Sequence, residues 1–151
     1  LKDDRISFFA EANPINISTT LTNFAIDAKV TGSNNQEKYK NYKKIIDRYS
    51  DKNLELIEQS FKATKQGNDS LANKLDSTQK SILAKKYLAT ISFALSNKDF
   101  EISPYLIVSH VNDAKLVYLD SVYNNLSKKI KDSKYGKDLE SLIQSRKNLD
   151  N

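Results

Sequence analysis

The sequence predicts a helix-rich α+β chain: a small antiparallel sheet of about three strands, then a long antiparallel helical hairpin, then several short C-terminal helices. Three observations carry this expectation. Apolar residues alternate with a period of two between Ile6 and Val30, the strand period. From Asn34 onward they recur at helical spacing instead. Only 3 Gly and 2 Pro interrupt 151 residues, 38% of which are hydrophobic and 28% charged, the composition of a chain dominated by helices.

Ile6, Phe8 and Ala10 point to one side of a first strand, with Ser7, Phe9 and Glu11 on the other. Ala12-Asn13-Pro14 reads as a turn, because Asn tolerates left-handed angles and Pro cannot donate to a central ladder. Ile15 and Ile17 continue the alternation in a second strand, and Phe24, Ile26, Ala28 and Val30 form a third. Gly32-Ser33 ends this segment. Ser33, followed three residues later by Gln36, reads as a capping box that opens a helix. Tyr39, Tyr42, Ile46, Tyr49, Leu56 and Phe61 lie at helical spacing up to Gln66, with polar Asn53 among them and a possible kink at 49–53. About 33 helical residues span roughly 50 Å. Gly67-Asn68-Asp69 stops this helix and starts the next, with Asp69 or Ser70 as N-cap. The second helix carries Leu71, Leu75, Ile82, Leu88 or Ala89, and Leu95, and ends near Asn97. So short a loop makes the two helices antiparallel. Ser103-Pro104 starts a buried apolar helix, Asp120 and Ser127 cap further short ones, and Ser133 opens the last, with Tyr135, Leu139, Leu142 and Ile143 facing inward.

The length fits one domain. The expected division is a β segment at 1–32, the helical hairpin at 33–99, short helices at 100–147 and a tail or linker at 148–151. The chain begins with Leu1 and contains no Met, so it is expected to be a processed or excised piece, a fragment of a larger domain. No apolar run approaches the roughly 18 residues that cross a bilayer, so no transmembrane segment is expected. With no Cys, disulfides, thiolate catalysis and cysteine metal sites are excluded within the chain. The net charge is +5, but only Arg5, Arg48 and Arg146 are arginines. Arg provides the bidentate contacts that dominate specific nucleic-acid recognition, so no nucleic-acid partner is expected.

Four features could carry chemistry, and each has a plainer reading. Lys40, Lys44, Arg48 and Lys52 form a cationic ridge that could track an anion, with nearby tyrosines to stack on bases. Asp47, Asp51 and Glu55, each three residues after a cation, make a self-paired solvated face the better account. His110 is the only histidine. No His-x-x-x-His or His-Glu pair accompanies it, so a helix-terminal packing role is expected rather than metal binding or catalysis. The carboxylate pairs Asp3-Asp4 and Glu55 with Glu58 lie on an end and on a charged helix face. Asn16, Asn68 and Asn125 stand in Asn-x-Ser acceptor patterns, but turns and caps select the same residues. The sequence therefore assigns no catalytic, cofactor-binding or metal-ligating residue and implies no cofactor.

Several short segments share a pattern with a known family. They are Ile6-Ser-Phe-Phe-Ala-Glu-Ala-Asn-Pro-Ile-Asn-Ile, Ala28-Lys-Val-Thr-Gly-Ser-Asn-Asn with Tyr39 and Tyr42 following, Ser103-Pro-Tyr-Leu, and Asp132-Ser-Lys-Tyr-Gly-Lys. In their order they resemble the C-terminal part of a domain of unknown function that precedes thioredoxin-like or alkyl-hydroperoxide-reductase-like domains in Gram-negative envelope proteins, often lipoproteins. Members of that family usually begin with several more strands. The resemblance implies a periplasmic or envelope location and a non-catalytic accessory or binding module beside a redox domain. Alternatives are part of a thiol–disulfide oxidoreductase whose active site lies outside this chain, or a free-standing helical interaction protein. The expected partner is another protein or the adjacent redox domain. Self-association through the exposed sheet edge or the hairpin is also expected.

Overall fold

A computed structural model describes residues 5–149. It contains two strands, β1 (Asn16–Ser18) and β2 (Lys29–Thr31), and six helices: α1 (Asn34–Lys65), α2 (Asp69–Ser96), α3 (Ile102–His110), α4 (Leu116–Asn125), α5 (Lys128–Lys131) and α6 (Lys134–Leu149). The chain divides into two compact units, Leu1–Asn41 and Tyr42–Asn151, with the division inside α1.

In the first unit β1 and β2 pair antiparallel, Asn16 opposite Thr31, Ile17 opposite Val30 and Ser18 opposite Lys29. The expected three strands are therefore two, and both are short. Residues 6–10 form no strand, because their polar groups go elsewhere. The Phe9 amide donates to Gln36 Oε1 at 3.2 Å, and the Phe9 ring meets Tyr39 edge-on at 5.8 Å. Residues 24–28 also leave the ladder. Asp27 N–H donates to the Asn23 carbonyl, the Thr20 hydroxyl donates to the Asp27 carboxylate at 2.6 Å, and the Thr19 hydroxyl donates to the Phe24 carbonyl. Short polar side chains have outcompeted strand pairing here.

Gly32 turns the chain into α1 with φ of 92°, and a Cβ there would stand 2.2 Å from the Pro14 carbonyl oxygen. Both facts require glycine. Ser33 Oγ accepts from Gln36 N–H at 3.0 Å, half of the expected capping box. The other half differs, since the Gln36 side chain accepts from Phe9 instead. Glu11 supplies the second cap. Its Oε1 accepts from Asn35 N–H at 2.7 Å, Asn35 Nδ2 at 3.0 Å and the Ser33 hydroxyl at 2.7 Å, with negative charge placed where the helix dipole favours it.

α1 runs unbroken through 49–53. Gly67, with φ of 69°, ends it in a Schellman motif: Asn68 N–H donates to the Ala63 carbonyl and Gly67 N–H to that of Thr64. The N-cap of α2 is Asn68, not Asp69 or Ser70, because its side chain accepts from Leu71 N–H at 3.1 Å. Between Tyr42 and Lys65 the positions that are not exposed are 42, 46, 49, 50, 53, 56, 60 and 63, a heptad seam with Ser50 beside it. On α2 positions 72, 75, 79, 82 and 86 match it. Contacts join the start of α1 to the end of α2. Tyr42 and Phe93 rings lie 5.4 Å apart, Tyr42 Oη is 3.0 Å from Thr90 Oγ1, and Lys86 Nζ donates to Ser50 Oγ at 3.0 Å. Phe61, expected in the seam, lies outside it, as does Leu71. The heptad step from Leu56 goes to Ser60 and Ala63, which skips Phe61.

The core of the second unit gathers Ile91 and Ala94 of α2 with Ile107, Leu119, Val122, Leu139 and Ile143, among others. α3 packs on both α2 and α6, which accounts for its nearly all-apolar sequence. α3 begins one residue before Ser103 and is preceded by Glu101. Ser103 is thus inside its first turn, with its hydroxyl fully buried and without a hydrogen-bond partner, rather than the expected cap. Asp120 lies within α4, not at its start, and accepts from Lys147 Nζ at 3.0 Å. Ser127 precedes α5, and Ser133 Oγ accepts from Gly136 N–H at the start of α6. Asn148 and Leu149, expected in a tail, are helical; 150–151 lie outside the described residues. No helix among the described residues is long and apolar enough to cross a membrane.

Candidate functional site

Three places gather groups that could act: an aromatic corner with His110, a hydroxyl-lined recess, and an apolar stripe on α1. The aromatic corner is built from side chains of α1, α3 and α6, with Lys86 of α2 beside it. The His110 ring lies 5.7 Å from Tyr42 and 6.1 Å from Tyr105, and Tyr105 in turn meets Tyr135 edge-on at 5.2 Å. One side of His110 remains exposed. Its aromatic neighbours desolvate the ring and hold its pKa below the ordinary histidine value, and the nearby Lys86 ammonium lowers it further. A cation beside an imidazole opposes proton uptake, so this environment suits a neutral packing ring better than a general base. Lys86, which the sequence reading passed over, is the polar member of the corner.

The recess lies in the first unit. It has a volume of about 510 Å³ and is lined by Ser18, Thr19, Thr20, Ile26, Asp27, Ala28 and Lys29. Its Thr20 hydroxyl is already donated to Asp27, and that of Thr19 to the Phe24 carbonyl. These groups hold the 19–27 turn in shape.

The cationic ridge is only partly self-paired. Lys52 meets Glu55 at 2.7 Å, and this ion pair draws the Glu55 pKa down. Among the described residues the Lys44–Asp47 and Arg48–Asp51 pairs do not form. Exposed pairs at this spacing gain a few tenths of a kcal/mol, too little to order two long side chains. Asp3 and Asp4 lie outside the described residues. Glu55 and Glu58 are both exposed on α1. Asn68 caps α2, Asn125 Nδ2 donates to the Ser121 carbonyl at 2.8 Å, and Asn16 sits exposed in β1. No group of three or more His, Cys, Asp or Glu among the described residues could hold a metal ion.

The third place is the apolar stripe. Leu54, Ile57 and Phe61 are 58%, 44% and 61% exposed. Spacings of three and four put them on one face of α1 beside the seam. Of residues 54–83, Leu56 and Ala63 are buried in the seam, and none belongs to the core cluster around Leu119. The signal was legible as an i, i+3, i+7 repeat, but the sequence reading merged Phe61 with the seam. Comparison of the chain with models of known families, with characterised proteins and with solved structures returned no match.

Proposed function

We propose that this chain is a non-catalytic accessory or binding module of an envelope thioredoxin-like protein, and that α1 and α2 form an antiparallel hairpin arm that presents its protein-binding surface. The stripe Leu54–Ile57–Phe61 carries the reading. Large apolar side chains exposed in a row on one helix face favour contact with another protein. The envelope location and the redox neighbour rest on the resemblance of the segments quoted above. The pairs Tyr42–Phe93 and Ser50–Lys86 support a register in which Asn53 faces Ile82, Leu56 faces Gln79 and Ser60 faces Leu75. In this reading the β1–β2 ribbon is the end of a larger sheet, its outer edges awaiting further strands.

The test compares the longer protein that this reading assumes with and without residues 1–151. Turnover of small dithiol substrates should persist without them, while engagement of protein partners should fall. Loss of turnover traced to the chemistry of a residue within this segment would overturn the module reading in favour of a catalytic subdomain.

A further inference from the structure

The connection between β1 and β2 plays no part in the docking surface of α1, and its side chains suit a different medium. We infer that residues 19–28 form a lipid-contacting tip, with Leu21, Phe24 and Ile26 entering the interfacial region of a bilayer of uncharged phospholipid. Exposure is the first argument. Leu21 is 98% and Ile26 85% exposed, and Phe24 is exposed between them in the chain. The ladder ends where Ser18 lies opposite Lys29, so all three stand in the turn that closes the ribbon. Single exposed apolar residues are ordinary on a protein surface. Three within six residues of one turn are a concentration of the kind that marks a contact.

The second argument is how the turn treats its own polar groups. Lipid offers no hydrogen bonds, so a segment that enters it must pair such groups internally. Asp27 N–H donates to the Asn23 carbonyl, and Asn23 N–H donates to the Thr20 hydroxyl at 3.3 Å. That hydroxyl in turn donates to the Asp27 carboxylate at 2.6 Å, and the Thr19 hydroxyl donates to the Phe24 carbonyl. Bonds that an ordinary surface loop makes to water are closed within the turn, so less polar surface is stripped of water on entry.

Charge and area decide the occupant. Between Ala12 and Ala28 Asp27 is the only charged side chain, in a chain that is 28% charged. It is tied to Thr20 near the base of the turn, so Leu21 to Ile26 brings only Thr22 and Asn23 as polar side chains. The α1 stripe differs: Glu55, Glu58, Lys62 and Lys65 stand exposed around it, the polar rim of a protein contact. Such charges are costly to carry into lipid; the turn has none to carry. Three side chains also fall far short of the about 800 Å² that a standard protein interface takes from each partner. A bilayer sets no such minimum, because each apolar side chain partitions in proportion to its own area. Three side chains imply reversible binding, weaker than the roughly 10⁴ M⁻¹ of a single myristoyl chain.

The chain contains no Trp, so Leu21→Trp places a single fluorescent reporter in the turn and Phe61→Trp a matched one on α1. With phosphatidylcholine vesicles at millimolar lipid, emission from the Leu21→Trp chain should move to shorter wavelength and be quenched by brominated acyl chains. Emission from the Phe61→Trp chain should not change. Co-sedimentation of the otherwise unmodified chain with the same vesicles should fall about tenfold or more in L21S/I26S, with circular dichroism showing unchanged helix content at these exposed sites. An unquenched reporter at position 21, equal quenching at both positions, or vesicle binding untouched by L21S/I26S would each overturn the lipid-contacting tip. So would binding confined to anionic vesicles, which is adsorption through lysines, or an emission shift that follows protein concentration without lipid, which is a second copy seated on the turn. The vesicles contain no protein, so none of these results bears on partner engagement through α1, and the module reading stands or falls separately.

Discussion

Replacing Glu11 by Gln isolates what one carboxylate does for the first unit. The Glu11 Oε1 atom accepts three hydrogen bonds, from the Asn35 amide, the Asn35 side chain and the Ser33 hydroxyl, at 2.7, 3.0 and 2.7 Å. Ser33 and Asn35 are 6% and 7% exposed, so water does not readily replace the carboxylate. Gln keeps an acceptor oxygen in nearly the same place and removes the charge. A hydrogen bond to a charged group contributes about 1 kcal/mol more than a neutral one. Negative charge at a helix N-terminus adds about 0.3–1 kcal/mol. Allowing for non-additivity, E11Q should lower the local stability of the first unit by about 2 kcal/mol; E11A, which takes the acceptor from all three donors, should cost about 3 kcal/mol.

Burial alone would raise the Glu11 pKa, but the bonds from Asn35 and Ser33 outweigh it and hold the group below its ordinary value. The unfolded chain therefore takes up the proton more readily than the folded one. The stabilisation is complete above the ordinary carboxylate pKa and is lost as pH falls through the lower folded value. Amide hydrogen exchange at Val30, Asn35 and Gln36 across that range is the assay. E11Q should show faster exchange at neutral pH and should lack this part of the acid dependence. A change below about 0.5 kcal/mol, or an acid dependence identical to that of the unmodified chain, would refute the capping role argued from these distances.

Gly32→Ala places a methyl group against the Pro14 carbonyl in a left-handed conformation; it should cost about 2–4 kcal/mol in the first unit, read by the same exchange measurement. Asn53→Leu removes a buried carbonyl oxygen without a partner and fills the seam, so chemical denaturation should show a gain of about 1 kcal/mol; a loss would argue against the seam register. Leu119→Ala empties a fully buried site in the core of the second unit and should lower its denaturation midpoint by an amount equivalent to about 2–5 kcal/mol.

Much of the helical architecture was legible because its signals are local. Gly67, the seam from Tyr42 to Ala63, and the apolar run of α3 each depend on a few neighbouring residues. The sheet was less legible. Residues 6–10 alternate as a strand does, yet the Phe9 amide is taken by the Gln36 side chain, and nothing near Phe9 in sequence announces that. Asp27 and Thr20 likewise divert 24–28 from the ladder through a bond seven residues long. Helix starts were misplaced by one to five residues: Asn68 prevailed over Asp69 and Ser70 because the Schellman geometry already fixes its backbone, and Pro104 tolerates the third helical position as well as the first. Phe61 was misread because it stands five residues after Leu56, a step of roughly 140° round the helix that carries a side chain off the seam occupied by Ser60 and Ala63. The aromatic corner required tertiary contacts between Tyr42, Tyr105, His110 and Tyr135 that no spacing encodes.

The most direct measurement is the engagement of protein partners by the longer protein with and without the L54E/I57E/F61E change on the exposed face of α1. The variant should lose partner engagement while circular dichroism shows unchanged helix content. A charged replacement of Ile17 in β1 should leave engagement intact. Engagement untouched by the α1 variant, or lost on the change in β1 instead, would contradict the claim that α1 carries the docking surface of this chain.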